Sequence, residues 1–249
     1  MSDVNFKSYA SRALPSAVGP GLNGPTRADR YGNLVVANLD RYVEADQGTY
    51  FVAHNATNDA STTLAGHAAP VLADADATMT KPFVHCRHGG ATTSLVRVWL
   101  DYIEIEVITA GANGTAANWA AQLDTGATRI SSGGTALTKV NPNMQSSATS
   151  VLDLLGGAPV SGAESASVRE LGHGMIRPSI EIAGDRKLFV FGRDPSSVGP
   201  ANAATAIRES IIHLPPVVLG PTDQLLLALY APSQSVAGVY KVRMGWFER

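Results

Sequence analysis

Residues Ser94–Ala110 read SLVRVWLDYIEIEVITA, and a change of phase inside this run decides the fold. Side chains alternate between the two faces of a strand. Val96, Val98, Leu100 and Tyr102 therefore share one face, and Arg97, Trp99 and Asp101 the other. Past Tyr102 the pattern inverts: Ile103, Ile105 and Val107 are apolar, while Glu104 and Glu106 are polar. A uniform strand cannot bury both apolar sets on one side, because a slip of one residue flips the face. A β-bulge near Asp101–Tyr102 inserts an extra residue and restores the phase. A strand that passes from one sheet to another achieves the same. Both devices belong to sandwiches and jelly rolls, and the density of Val, Ile, Trp and Tyr favours strand over helix.

The flanking chain repeats the β signal. In Val236–Phe247, Tyr240, Val242, Met244 and Trp246 face one way, with Lys241, Arg243 and Glu248 marking the solvent side. That alternation predicts an antiparallel strand with one wet face. Met175–Ala183 and Arg186–Gly192 flank Gly184-Asp185, a pair suited to a hairpin turn with positive φ at the glycine. Thr49–Asn55, Lys81–His88, Gly133–Val140, Ser210–Leu219 and Gln224–Ala231 read as further strands, with Pro215-Pro216 keeping the fourth of these from a central position. Thr115–Asp124 reads as a short helix with Trp119 and Leu123 one turn apart. Gln145–Leu155 reads as a helix or irregular loop, and 56–77 as a loop with a short strand at its centre. Residues 156–166 and 194–206 read as loops. With no βαβ alternation and no repeat, the expectation is an all-β fold, an antiparallel β-sandwich or jelly roll over residues 49–249. Residues 1–48 carry Pro15, Pro20, Pro25, Gly19, Gly21 and Gly24, which break regular elements. They are expected to form an extended N-terminal arm, with Leu34–Leu39 a short strand within it.

The 249 residues carry a formal net charge of −2 and a pI near 6.3, which gives no electrostatic case for nucleic-acid or membrane-surface binding. Only 16% of residues are charged, against about 25% in ordinary soluble domains; partners covering the surface and a loop-rich β protein both account for this. The single cysteine, Cys86, excludes an intramolecular disulfide. The first residues lack the apolar stretch of a signal peptide, and no apolar run reaches the ~18 residues of a membrane helix.

Candidate chemistry is sparse. His85-Cys86-Arg87-His88 is the most metal-like cluster, but on a strand Cys86 and His88 share a face while His85 points away. Zinc takes three or four ligands. Gly19-Pro20-Gly21-Leu22-Asn23-Gly24 matches G-x-G-x-x-G by letter, without the preceding strand and following helix that bind a phosphate. Asp101, Glu104 and Glu106 are close in sequence, whereas glycosidase carboxylates flank a sugar across a cleft. No Gly-x-Ser-x-Gly elbow occurs. Trp99, Trp119 and Trp246 are expected to belong to the core. The expectation is a non-enzymatic chain without catalytic, cofactor or metal residues.

Several phrases occur together in order: Asp29-Arg30-Tyr31-Gly32-Asn33-Leu34, Gly48-Thr49-Tyr50-Phe51-Val52-Ala53, Leu100-Asp101-Tyr102-Ile103, and Gly133-Gly134-Thr135-Ala136-Leu137-Thr138 before Asn141. The last is Pro215-Pro216 and Gly220-Pro221 with the ending Gly245-Trp246-Phe247-Glu248-Arg249. In this order they resemble a group of tailed-bacteriophage virion proteins. The resemblance implies a structural protein of the phage particle, assembled in the host cytoplasm: a capsid decoration (cement) protein or a head or vertex fibre component. It implies a jelly-roll homotrimer, with the major capsid protein or other virion proteins as partners and an arm that grips the shell. Two other readings stand beside it. One is a receptor- or glycan-binding domain of a tail fibre or spike, with Trp119 as the contact residue. The other is a cupin-like metal enzyme, which needs His85, His88 or His173 to converge.

Overall fold

The computed structural model describes residues 41–55, 64–65, 82–112, 116–126, 129–157, 160–161, 164–179, 181–192, 209–230, 236 and 238–249. The glycine motif at 19–24, the strand expected at Leu34–Leu39 and the loop at 194–206 lie outside these residues.

A six-residue helix, α1 (Arg41–Asp46), is followed by β1 (Tyr50–His54), β2 (Leu64–Ala65), β3 (Val84–His88), β4 (Val98–Thr109), β5 (Ala117–Thr125), β6 (Ile130–Ser132), β7 (Thr135–Ala136) and β8 (Thr138–Val140). Then come β9 (Leu152–Gly156), β10 (Val160–Ser161), β11 (Arg169–Arg177), β12 (Arg186–Phe191), β13 (Glu209–Leu214), β14 (Val218–Leu219), β15 (Asp223–Tyr230) and β16 (Val239–Glu248). They form two packed sheets, ordered β13-β12-β4-β16-β1-β8 and β11-β5-β15-β3-β9-β7, with β6 and β10 as a separate ribbon. Inside the outer strands β13 and β8 of the first sheet and β9 and β7 of the second, and apart from the two-residue β2 and β14, the first sheet holds β1-β16-β4-β12 and the second β3-β15-β5-β11, every neighbour antiparallel. Counted along the chain, these are the first, eighth, third and sixth strands, against the second, seventh, fourth and fifth. This wiring, two interlocked Greek keys, is that of a jelly roll.

The phase change in β4 is a bulge at the expected place. Gly245 pairs with Tyr102 and Trp246 with Leu100, so Asp101 is the extra residue. With that insertion Val98, Leu100, Ile103, Ile105 and Val107 all enter the core. Opposite them Tyr240, Val242, Met244 and Trp246 of β16 are buried, as their alternation predicts. Phe51, Phe83, Phe189, Leu225, Leu227 and Leu229 complete the layer between the sheets. Full burial of one such side chain contributes roughly 1.5–3 kcal/mol.

Gly133–Val140, expected as one strand, is divided between the sheets. Thr135-Ala136 pairs with β9 in the second sheet, and Thr138–Val140 pairs with β1 in the first. The buried Leu137 is the pivot, so the chain itself closes one side of the sandwich.

Other expectations change. Thr115–Asp124 is not a helix: β5 runs from Ala117 to Thr125 between β15 and β11, and both neighbours supply backbone partners that override its Ala-rich composition. Gln145–Leu155 ends in a strand, β9, pairing with β3. Met175–Gly192 is not a hairpin. Gly184 does take a positive φ of 89°, but β11 pairs with β5 in one sheet and β12 with β4 in the other, so the turn carries the chain across the sandwich. Ser210–Leu219 is two strands interrupted at Pro215-Pro216, and β13 lies at a sheet edge, parallel to β12. Glu248 is buried rather than solvent-facing. Its carboxylate accepts from Ser150 Oγ, Val151 N at 3.0 Å and Trp246 Nε1 at 2.9 Å.

Candidate functional site

The outer face of the first sheet is split into two halves by the register of its strands. Directly opposed residues on neighbouring strands point to the same side. One row runs Tyr50, Phe247, Trp99, Val218 and the next Val140, Val52, Gly245, Tyr102, Val190. The Trp99 and Phe247 rings stack at 5.8 Å and 10°. Val218 at the end of the first row and Val140 at the start of the second are 45% and 41% exposed, whereas Tyr50 and Val190, at the opposite ends, are buried. The other half is charged. Lys241, Glu106, Arg186 and Glu209 alternate in sign across four strands, and Arg243 Nη2 is 3.1 Å from Glu104 Oε1. Glu104 and Glu106 thus lie on a cross-strand charge ladder.

Asp101 has a different role. The bulge places its carboxylate against α1, where it accepts from Arg41 Nε, from Arg41 Nη2 at 2.9 Å and from Tyr50 Oη at 2.9 Å. The Arg41 guanidinium lies 5.5 Å from the Tyr102 ring centroid. Burial first, and then the Asp101 charge, push the Tyr50 phenol far above its ordinary range, so it stays a hydrogen-bond donor. Gly245 is the residue that fits beneath: a Cβ there would stand 2.3 Å from Tyr50 Oη and 2.6 Å from Tyr102 Cε1. A second fastening lies beside it. Glu44 pairs with Arg249 and accepts from Thr49 Oγ1 at 2.6 Å, while Glu248 N donates to Thr49 O at 2.9 Å. Asn141 Nδ2 donates to Gly48 O at 2.9 Å and Asn143 Nδ2 to Asp46 O at 2.9 Å. Residues 41–48, counted with the arm from sequence, are bonded to the sandwich through Arg41, Glu44, Asp46 and Gly48. Composition gave no sign of this clamp; the phase change at Asp101 was its one trace.

Among the described residues the histidines do not converge. Cys86 lies fully in the core, where burial pushes its thiol up. His88 accepts from Gly90 N at 3.1 Å through Nδ1 and meets Val96 O at 3.0 Å through Nε2, so both ring nitrogens hold the 89–97 loop. His85, on the opposite face, bonds Gln224 Oε1 at 2.7 Å. Burial lowers its pKa to about 4, against the opposing hydrogen bond from Gln224. His173 is exposed and pairs with Glu170. Among the described residues no three His, Cys, Asp or Glu side chains gather where a metal ion could sit. Trp119, offered as a sugar-stacking residue, packs edge-on to Phe189 at 5.6 Å and against Gly172 and Gly174. Trp246 is buried and stacks on Phe51.

Two cations, Lys187 and Arg129, are buried, each beside a buried carboxylate, and Arg129 also meets the partly exposed Glu164. Lys187 meets Glu181, which also accepts from Tyr240 Oη at 2.7 Å. Arg129 lies 3.2 Å from Asp124 and 3.3 Å from Glu164. Each buried charge is matched, as burial demands. Among the described residues no helix is long and apolar enough to cross a membrane. No protein-family model, curated protein or solved structure matches the chain.

Proposed function

We propose that the chain is a structural subunit of a tailed-bacteriophage virion, a capsid decoration protein that binds the head shell as a homotrimer. One observation carries the reading beyond the resemblance itself. The motifs of that resemblance are far apart in sequence, and four of them meet at one place. Gly48–Ala53 supplies Tyr50 and the turn after α1, Leu100–Ile103 the Asp101 bulge, and Gly245–Arg249 the glycine under Tyr50 and the partner of Glu44. The 133–138 motif pairs with β1 through Thr138, and Asn141 holds Gly48. Together they fix the point at which residues 1–40 join the sandwich, as an attachment arm requires. The apolar half-face ending in Val140 and Val218 supports association, and the low charge content agrees with it. Fold alone does not assign function, so the test is direct. Removing residues 1–40 is expected to leave the sandwich folded by circular dichroism and to abolish co-sedimentation with undecorated phage heads. Retained co-sedimentation overturns the arm's role.

A further inference from the structure

We propose that Lys187 and Glu181 condense inside the folded chain to an amide, an internal cross-link whose formation releases one water molecule. Lys187 is an inward-facing lysine. Its register partner is Ile105, whose own partner on β16 is Val242, and all three are buried. Directly opposed residues share a face, so the lysine occupies a core position of the first sheet. Its side chain is 1% exposed and that of Glu181 8%, so the pair is held out of water. Nζ lies against Glu181 Oε1, while Oε2 accepts from Tyr240 Oη at 2.7 Å. The Tyr240 ring stands 5.6 Å from Nζ and meets the buried Phe83 edge-on at 5.0 Å. As a salt bridge this pair is poorly served. An ammonium has three N–H groups to satisfy, and Lys187 Nζ makes no hydrogen bond to any described residue. Buried ions recover their desolvation cost only through close pairing and further hydrogen bonds. An amide carries no charge and one N–H, so condensation lowers both costs.

The neighbours give the two carboxylate oxygens different parts. Lys187 passes one ammonium proton to Oε1, which leaves a neutral amine beside a neutral carboxyl group. Nζ then adds to Cδ, and the C–N bond forms. Tyr240 donates to Oε2, the oxygen on which negative charge develops in this step. A second proton moves from Nζ to Oε1, the Cδ–Oε1 bond breaks, and water departs. One C–N bond replaces one C–O bond, nothing is oxidised or reduced, and no outside reagent takes part. Oriented partners react as if present at about 10⁵–10⁸ M, and the dry surroundings disfavour hydrolysis back to the ion pair. The ring closed by the new bond spans the Gly184 turn, where the chain crosses from β11 in one sheet to β12 in the other. The cross-link therefore fixes that crossing covalently, in a chain whose single cysteine excludes an internal disulfide.

The proposal is independent of capsid binding, so head co-sedimentation does not report on it. The test is denaturing intact-mass spectrometry of the purified full chain, followed by fragmentation of its tryptic peptides. The expected mass lies one water molecule below that of the sequence, with or without Met1. Trypsin is expected to leave the bond after Lys187 uncut, with Lys187 joined to the peptide that bears Glu181. Lys187→Met removes the nucleophile and should restore the full sequence mass. The double replacement Lys187→Met with Glu181→Leu exchanges the pair for apolar side chains, a change that buried ion pairs tolerate, and should do the same in a chain that still folds. The full sequence mass in the unaltered protein would show an ordinary buried ion pair and overturns the proposal. A missing water that persists in either variant places the dehydration elsewhere and overturns it equally.

Discussion

Tyr50 donates its phenolic hydrogen to Asp101 Oδ2 at 2.9 Å. The residue that resets the phase of the longest strand therefore also fastens the segment entering the domain. Most of its value lies in the buried hydroxyl rather than in the neighbouring ion pair. Asp101→Ala leaves Tyr50 Oη buried without its acceptor, at a cost of about 1–3 kcal/mol. Arg41→Ala removes a side chain that is 43% exposed, and exposed pairs are worth about 0–1 kcal/mol. Urea unfolding should show a larger midpoint shift for Asp101→Ala at unchanged slope. Equal shifts would assign the energy to the ion pair.

Gly245 is required for space, since its φ is not among the positive ones. A methyl group there meets two tyrosine rings, one of them held by Asp101. Gly245→Ala should destabilise by roughly 1–3 kcal/mol, the range for overpacking. Wild-type stability in this variant would mean that the rings swing aside freely, against the clamp described above.

His85 makes stability depend on pH. Its folded pKa of about 4 lies below the ordinary 6.5, because burial disfavours the imidazolium. The unfolded chain therefore binds the proton more readily. The contribution is fully present above pH 6.5, falls as the pH drops from 6.5 towards 4, and levels off below. The integrated loss is about 3 kcal/mol at about 1.4 kcal/mol per pKa unit. Unfolding free energies measured across this window should fall more steeply for the wild type than for His85→Gln. Parallel profiles would exclude His85 as the source.

Cys86 should be inert in the folded state. It is fully buried, and burial raises its pKa, so thiolate is scarce. A colourimetric thiol reagent should label it only at the rate of unfolding. Rapid labelling without denaturant would place the thiol at the surface.

What the sequence disclosed depended on how much of each strand's surroundings was local. In β4 the phase change between Leu100 and Ile103 specified the bulge, because the bulge lies within the strand that shows it. In β16 one face is wet, so Lys241 and Arg243 exposed the period. β5 carries no such contrast: Ala120, Ala121, Gln122 and Asp124 are all buried, on both faces, and alternation vanishes. The turn at Gly184 was legible as a turn, but the same Gly-Asp pair serves a hairpin and a crossing. Which one forms is decided by β4 and β5, more than fifty residues away. Glu248 read as solvent-facing from its charge, although the period of β16 sets it on the buried face with Trp246; Ser150, Val151 and Trp246 supply the donors that let its carboxylate stay there. The Asp101 clamp escaped notice because its members are distant in sequence: Arg41 and Tyr50 come from one segment, Asp101 and Gly245 from two others far along the chain.

The most direct test of the central claim is the mass of the full chain in solution by light scattering. A homotrimer gives three times the 26.0 kDa chain mass, and Trp99→Asp, at the centre of the apolar half-face, should lower it to one chain. A monomer over the whole concentration range, for the unaltered protein, would contradict the trimeric decoration protein proposed above.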